Sequence, residues 1–385
     1  MSTTQRQPGL DLLRAIAIVW VMLFHSFIVG GLGDHWGWLS KYGWMGVDIF
    51  FVLSGYLIGG QVLQQLRDHA RIDFGDFYLR RALRILPAFW AVLAIYLVFP
   101  SWREVDGMEP WWKFAAFIYN LDVDYNAHAA FSHAWSLCVE EHFYLVFPLL
   151  AAWGFRRNSL LLTISLIAFV LLGGIALRST IWLHDNALDP DRNWFIEDLY
   201  YPTWCRLDGL LVGAALAAMR VFRARWWQRM RGYANVAIMI GVLGVIASFS
   251  LHAQRGGLLA NSIGWPVLSL SFGLLVFAAA ERDSWIGRWR IPGAGWIAAI
   301  SYSLYLSHKL VMHAVNVAID GRVHGVLAFS LYAVAIIAVG ALLHYAVERP
   351  GLRLRGRMRR GQSAQASRGQ QRGSTVFMDG SNDPL

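Results

Sequence analysis

The sequence predicts an all-α, polytopic integral membrane protein with about ten transmembrane helices and both termini in the cytoplasm. Three observations predict it. Apolar stretches of about 20 residues, the length that crosses a bilayer as a helix, recur along the 385-residue chain. Hydrophobic residues make up 56% of it and charged ones only 15%, a balance that soluble domains do not sustain. Aromatics reach 14%, with 19 Trp, which suits rings seated at membrane–water interfaces.

Taken in order, spans are expected at roughly 10–31, 44–64, 84–100, 133–154, 159–181, 205–220, 234–252, 258–280, 294–318 and 325–347. A short polar leader precedes the first, with no small-residue cleavage site after it, so it reads as an uncleaved helix rather than a signal peptide. Connections on one side carry Arg67, Arg71, Arg80, Arg81 and Arg84, then Arg156 and Arg157, then Arg220 to Arg231, then Arg282, Arg288 and Arg290. The opposite loops hold scattered bases and many acids, among them Asp106, Glu109, Asp122 and Asp124. The positive-inside rule therefore places both termini in the cytoplasm. The net charge of +9 is mostly topology, and no nucleic-acid partner is expected. Residues 1–355 form the membrane domain. The stretch 356–385, rich in Gly, Ser, Gln and Arg, is expected to be a disordered cytoplasmic tail. Cys138 and Cys205 lie at or inside spans and imply no disulfide framework. No metal or resident cofactor is expected.

The first span, LDLLRAIAIVWVMLFHSFIVGG, carries Arg14 and His25. Eleven positions at ~100° per residue bring them within about 20° of one face, and about 16 Å apart along the axis. Ionisable residues inside a span point to function, although Arg14 also fits a side chain snorkelling to the interface. Asp48, in GVDIFFVLSGYLI, stands at a depth from which it could meet His25 and fix its tautomer; a carboxylate placed at a helix start is the rival reading. In FYLRRALRILP, Arg80, Arg81 and Arg84 form a cluster suited to phosphates, though positive-inside residues look the same. Pro87 is expected in the first turn of the third span. The fourth span opens HAWSLCVEEHFYLVFP, where Glu140 shares a face with His133 and Tyr144. In the ninth, Ser301, Tyr305 and His308 share a stripe, and CRLDGLLVG supplies Arg206 and Asp208 as a charge pair. By depth, His25, Asp48, Glu140, Arg206 and His308 are expected towards the outside, and Arg14 with the arginine cluster towards the inside.

These motifs, with the closing VERP, occur in an order that resembles the bacterial acyltransferase-3 family of membrane O-acyltransferases, from Leu10 to about Pro350. The resemblance implies transfer of an acyl group, commonly acetyl, from a cytosolic CoA thioester to a hydroxyl of an envelope glycan or other metabolite. Arg14 and His25 match the family's Arg-x10-His motif, and Arg80, Arg81 and Arg84 its Arg-Arg-x-x-Arg motif near the donor site. Glu140 matches the glutamate of its Trp-Ser-Leu-x-x-Glu segment, and Tyr305 and His308 its late helix. Cys138, His142 and Lys309 depart from the commoner residues. Some relatives carry an additional C-terminal esterase-like domain, for which this chain is expected to be too short.

The reading that follows takes acyl-CoA, most simply acetyl-CoA, as donor substrate, its phosphates on Arg80, Arg81 and Arg84 with help from Arg14. His25 is the base, oriented by Asp48 or Glu140, and Arg206, Tyr305 or His308 stabilises the oxyanion. Direct transfer and an acyl-enzyme on His25 are both open. The acceptor is a glycan hydroxyl, a lipid-linked sugar or a small natural product, and the site is the bacterial inner membrane. The alternative from another class is a proton-coupled exporter using the same buried His and carboxylates.

Overall fold

The computed structural model describes residues 7–29, 37–157, 160–185 and 192–353. Each of the ten expected spans is built on a helix: α1 Pro8–Phe24, α2 Gly46–His69, α3 Phe74–Val98, α4 Ala134–Arg157 and α5 Leu160–Asp185. The second half follows with α6 Asp208–Phe222, α7 Ala234–Leu251, α8 Trp265–Ala280, α9 Ala294–Ile319 and α10 Gly325–Leu343. No strand occurs among the described residues, and the expected tail at 356–385 lies outside them.

Among the described residues, seven helical segments are long and apolar enough to cross a membrane, drawn from α1, α2, α3, α5, α7, α8 and α10. The other three fall short because of their polar residues or length. Glu140 and Glu141 interrupt α4, α6 has 15 residues, and α9 carries Ser303, Ser307, His308 and Lys309. A polar helix at membrane depth has to face protein rather than lipid. Accordingly every residue of α9 from Ser303 to Met312 is buried. It packs against α1 and α10, which puts the polar stripe at the centre of the bundle.

Lipid is as apolar as the side chains, so helices here are held by close packing and buried polar contacts rather than by the hydrophobic effect. The closest pairing is α2 on α6. A Cβ added at Gly55 would stand 2.0 Å from the Leu210 carbonyl oxygen, and one at Gly213 would stand 2.1 Å from that of Val52. Only a missing side chain lets the two backbones approach so nearly.

Two local features differ from expectation. The third span begins earlier, because the Asp73 side chain accepts a hydrogen bond from the Asp76 N–H at 3.0 Å and caps the helix. The three clustered arginines are therefore inside α3, and Pro87 sits within the helix rather than in its first turn. The first span is not one uniform helix either: α1 stops at Phe24, and His25–Val29 continue as a 3₁₀ turn. His25 is the residue at which the winding changes, as is common at the C-terminus of an α-helix.

Candidate active site

A cavity of about 290 Å³ runs into the bundle from the arginine-bearing segment of α3. Arg80, Arg81 and Arg84 line it with Arg14 from α1, Glu140, Glu141 and Tyr144 from α4, and Tyr305 from α9. Arg80 is tied back to Asp76, four residues earlier on the helix, and stays partly exposed. The Arg81 guanidinium lies 4.2 Å from the centre of the Tyr144 ring, and its Nε has no hydrogen-bond partner. Glu140 accepts hydrogen bonds from Ser54 Oγ at 2.9 Å and from Tyr144 Oη at 2.7 Å. The (i, i+4) neighbour expected on its face is thus its partner.

Glu140 changes groups. It was expected with His25 and Asp48 towards the outside, and it lies in the same cavity as Arg14 and the α3 arginines. A half-buried carboxylate inside a bundle gains most from opposite charges and donors, and α2, α3 and α4 converge to supply them.

Next to the cavity lining, three histidines come together, at the end of α1, just before α4 and on α9. Tyr305 Oη donates to the His133 carbonyl at 2.9 Å and lies 2.5 Å from Ser136 Oγ, and both side chains line the cavity. One helical turn further along α9, His308 reaches His25: Nε2 of one is 3.0 Å from Nδ1 of the other. His308 is wholly buried, and the His133 ring lies 5.1 Å from it. Lys309 is also buried. Its ammonium donates to Ser132 Oγ at 2.7 Å and lies 3.4 Å from Glu104, which also accepts from Tyr96 Oη at 2.8 Å. The buried ammonium thus comes with its own counter-charge.

Asp48 does not meet His25. Its carboxylate is bonded to Arg206 at 2.8 Å, with both side chains buried, and the guanidinium lies 3.6 Å from the Trp265 ring centre. A charge-assisted bond is stronger than one to neutral imidazole, which explains the choice. Asp208, expected to pair with Arg206, is bonded to Arg178 at 2.8 Å instead. Arg178 was not singled out in the sequence. It is fully buried and also donates to the carbonyls of Asn261 and Cys205. An arginine within the apolar run LLGGIALRSTIW was the signal that could have found it. The glutamate of the closing VERP, Glu348, accepts from Ser303 Oγ and lies 2.8 Å from His344 Nδ1, fastening the end of α10 to α9.

The model of an acyltransferase domain family matches residues 7–345. The chain belongs to that acyltransferase family. It is 28% identical to the peptidoglycan O-acetyltransferase OatA of Listeria monocytogenes, over 78% of this chain and 48% of that protein. With YrhL of Bacillus subtilis, provisionally named a peptidoglycan O-acetyltransferase, identity is 29% over 79% of this chain and 48% of the relative. A provisionally named O-acetyltransferase of Staphylococcus aureus is 27% identical over 82% of this chain and 52% of its own length. The chain spans about half the length of the curated relatives it matches. No solved structure matches it.

Proposed function

We propose that this chain is an inner-membrane O-acyltransferase that takes an acetyl group from cytosolic acetyl-CoA and esterifies a hydroxyl of an envelope glycan, with peptidoglycan the first candidate. The observation that carries the proposal is the cavity itself. It joins four arginines to a half-buried glutamate and is lined by Tyr305, one helical turn from a histidine pair. The relatives, O-acetyltransferases by name and one of them of peptidoglycan, suggest the acetyl group and the glycan.

In this reading the phosphates of CoA stay at the partly exposed mouth with Arg81 and Arg84, where guanidinium groups make paired, charge-assisted bonds. Arg14 neutralises charge deeper in. The pantetheine arm is the part of CoA that enters the cavity. The thioester reaches His25 when the Tyr305–Ser136 pair parts. The acceptor hydroxyl gives its proton to His25 Nε2 while its oxygen bonds to the thioester carbonyl carbon. Collapse breaks the C–S bond, and His25 returns the proton to the departing thiolate. Tyr305 serves as oxyanion donor only once its hydroxyl turns away from the His133 carbonyl, and the parting of the Tyr305–Ser136 pair is the step that frees it. Arg206 is held by Asp48 and Trp265, and its part is to keep the outer bundle in shape.

Both termini and the arginine-rich connections are cytoplasmic in this scheme, and the acceptor enters from the other side. The test compares ester-linked acetyl on envelope glycans by mass spectrometry in a producing strain, a deleted strain and one carrying His25→Gln. Acetyl ester present in the first and lost in the other two is expected. Equal acetylation in all three contradicts the proposal. A proton-coupled exporter would leave the glycan unchanged and release no CoA from acetyl-CoA.

A further inference from the structure

We infer that His308 is a positioning residue for His25, holding it as a neutral imidazole with its proton on Nδ1 and its lone pair on Nε2. The inference deepens the proposed acyl transfer and rests on it. Carbonyl oxygens only accept hydrogen bonds, and that decides both rings. His308 Nδ1 lies 2.8 Å from the Tyr305 carbonyl oxygen, so that nitrogen carries the proton. In a neutral imidazole the other nitrogen is then an acceptor, and His308 Nε2 presents a lone pair to His25. His25 Nδ1 lies 3.0 Å from the Val21 carbonyl oxygen and 3.0 Å from His308 Nε2. Its single proton is shared between two acceptors, and the reverse assignment would set a lone pair against the carbonyl.

Two consequences follow. His308 has no N–H left over, since its only proton is committed to Tyr305, so it is not an oxyanion donor. Its lone pair steadies the imidazolium formed when His25 Nε2 takes the acceptor's proton, the task that a carboxylate performs in hydrolase triads. Here the partner is a neutral ring, buried on α9 where water does not compete. The 3₁₀ turn beginning at His25 and the α9 stripe are the two elements that set this geometry.

The experiment uses the full chain in membrane vesicles, with labelled acetyl-CoA as donor and the host's own envelope glycan as acceptor. His308→Phe keeps a ring but removes the acceptor atom; His308→Gln places an amide oxygen near the lost Nε2. The expected result is that Phe lowers kcat by about 10- to 100-fold with KM for acetyl-CoA within twofold, and that Gln recovers most of the loss. Phe without effect on kcat, or Gln no better than Phe, overturns the inference. Solid-state ¹⁵N NMR of the unmutated chain gives a reading independent of folding in the variants. The His25 resonances, assigned by their loss in His25→Gln, are expected to show protonated Nδ1 and bare Nε2; protonated Nε2 contradicts it. An active His25→Gln would instead sink the assignment of His25 as base, absence of acyl transfer by the unmutated chain would sink the acyl-transfer reading, and an inactive His25→Gln beside fully active His308→Phe sinks only the pairing.

Discussion

Asp48 shows how far a residue's neighbours decide its job. Its position one turn into a span suggested either a partner for His25 or a helix-start charge, and the fold gives it Arg206. Both side chains are buried, so truncating one strands the other. Asp48→Ala is expected to cost about 3–5 kcal/mol, the usual penalty for leaving a buried charge unpaired, and to lower the thermal unfolding midpoint in detergent well below that of the unmutated protein. Replacement of an exposed acid such as Asp122 should leave the midpoint unmoved. The same logic extends to Arg178, whose removal would orphan Asp208. Residue types and shared helix faces were legible in the sequence, as the Glu140–Tyr144 bond shows. Partners were not, because His25 and His308 lie 283 positions apart and no local periodicity reports which stripes will face each other.

At the scale of the element, each expected helix formed, because apolar runs of bilayer length have few alternatives in lipid. Helix starts and changes of winding were harder to read. The early start of α3 depends on one capping aspartate, and the 3₁₀ turn at His25 lies within an unbroken apolar run. The α2–α6 contact was also hidden, since a glycine in a span signals close approach without naming its partner. Gly213→Leu is expected to drive α2 and α6 apart and to destabilise the protein more than Gly154→Leu, where a Cβ meets nothing within 4 Å; thermal unfolding of the two variants checks this. On α3, Arg81→Gln with Arg84→Gln should weaken acetyl-CoA binding at least tenfold, since each charge-assisted bond to phosphate contributes more than about 1 kcal/mol. Isothermal titration of the purified protein measures it, and unchanged affinity would remove the phosphate clamp from the scheme.

For the whole molecule, the arrangement is a membrane bundle with two chemically different ends and a polar core between them. Arginines of α3 line the cavity, and the histidine pair lies one helical turn along α9 from Tyr305, another lining residue. The polar segments that line this route belong to helices whose composition is poorest for facing lipid, α4 and α9. Class and ordering of motifs were therefore readable from the chain alone, while the assignment of Glu140 to the arginine cavity needed the packing of three helices. If the route is used as proposed, donor and acceptor meet from opposite faces of the membrane. The most direct test supplies labelled acetyl-CoA to proteoliposomes from the face bearing the α2–α3 turn only, with envelope glycan confined to the other side. The account predicts that label appears on the enclosed glycan with stoichiometric release of CoA outside, and that His25→Gln abolishes both. Label transferred only when donor and glycan share one face, or equally well without His25, would contradict it.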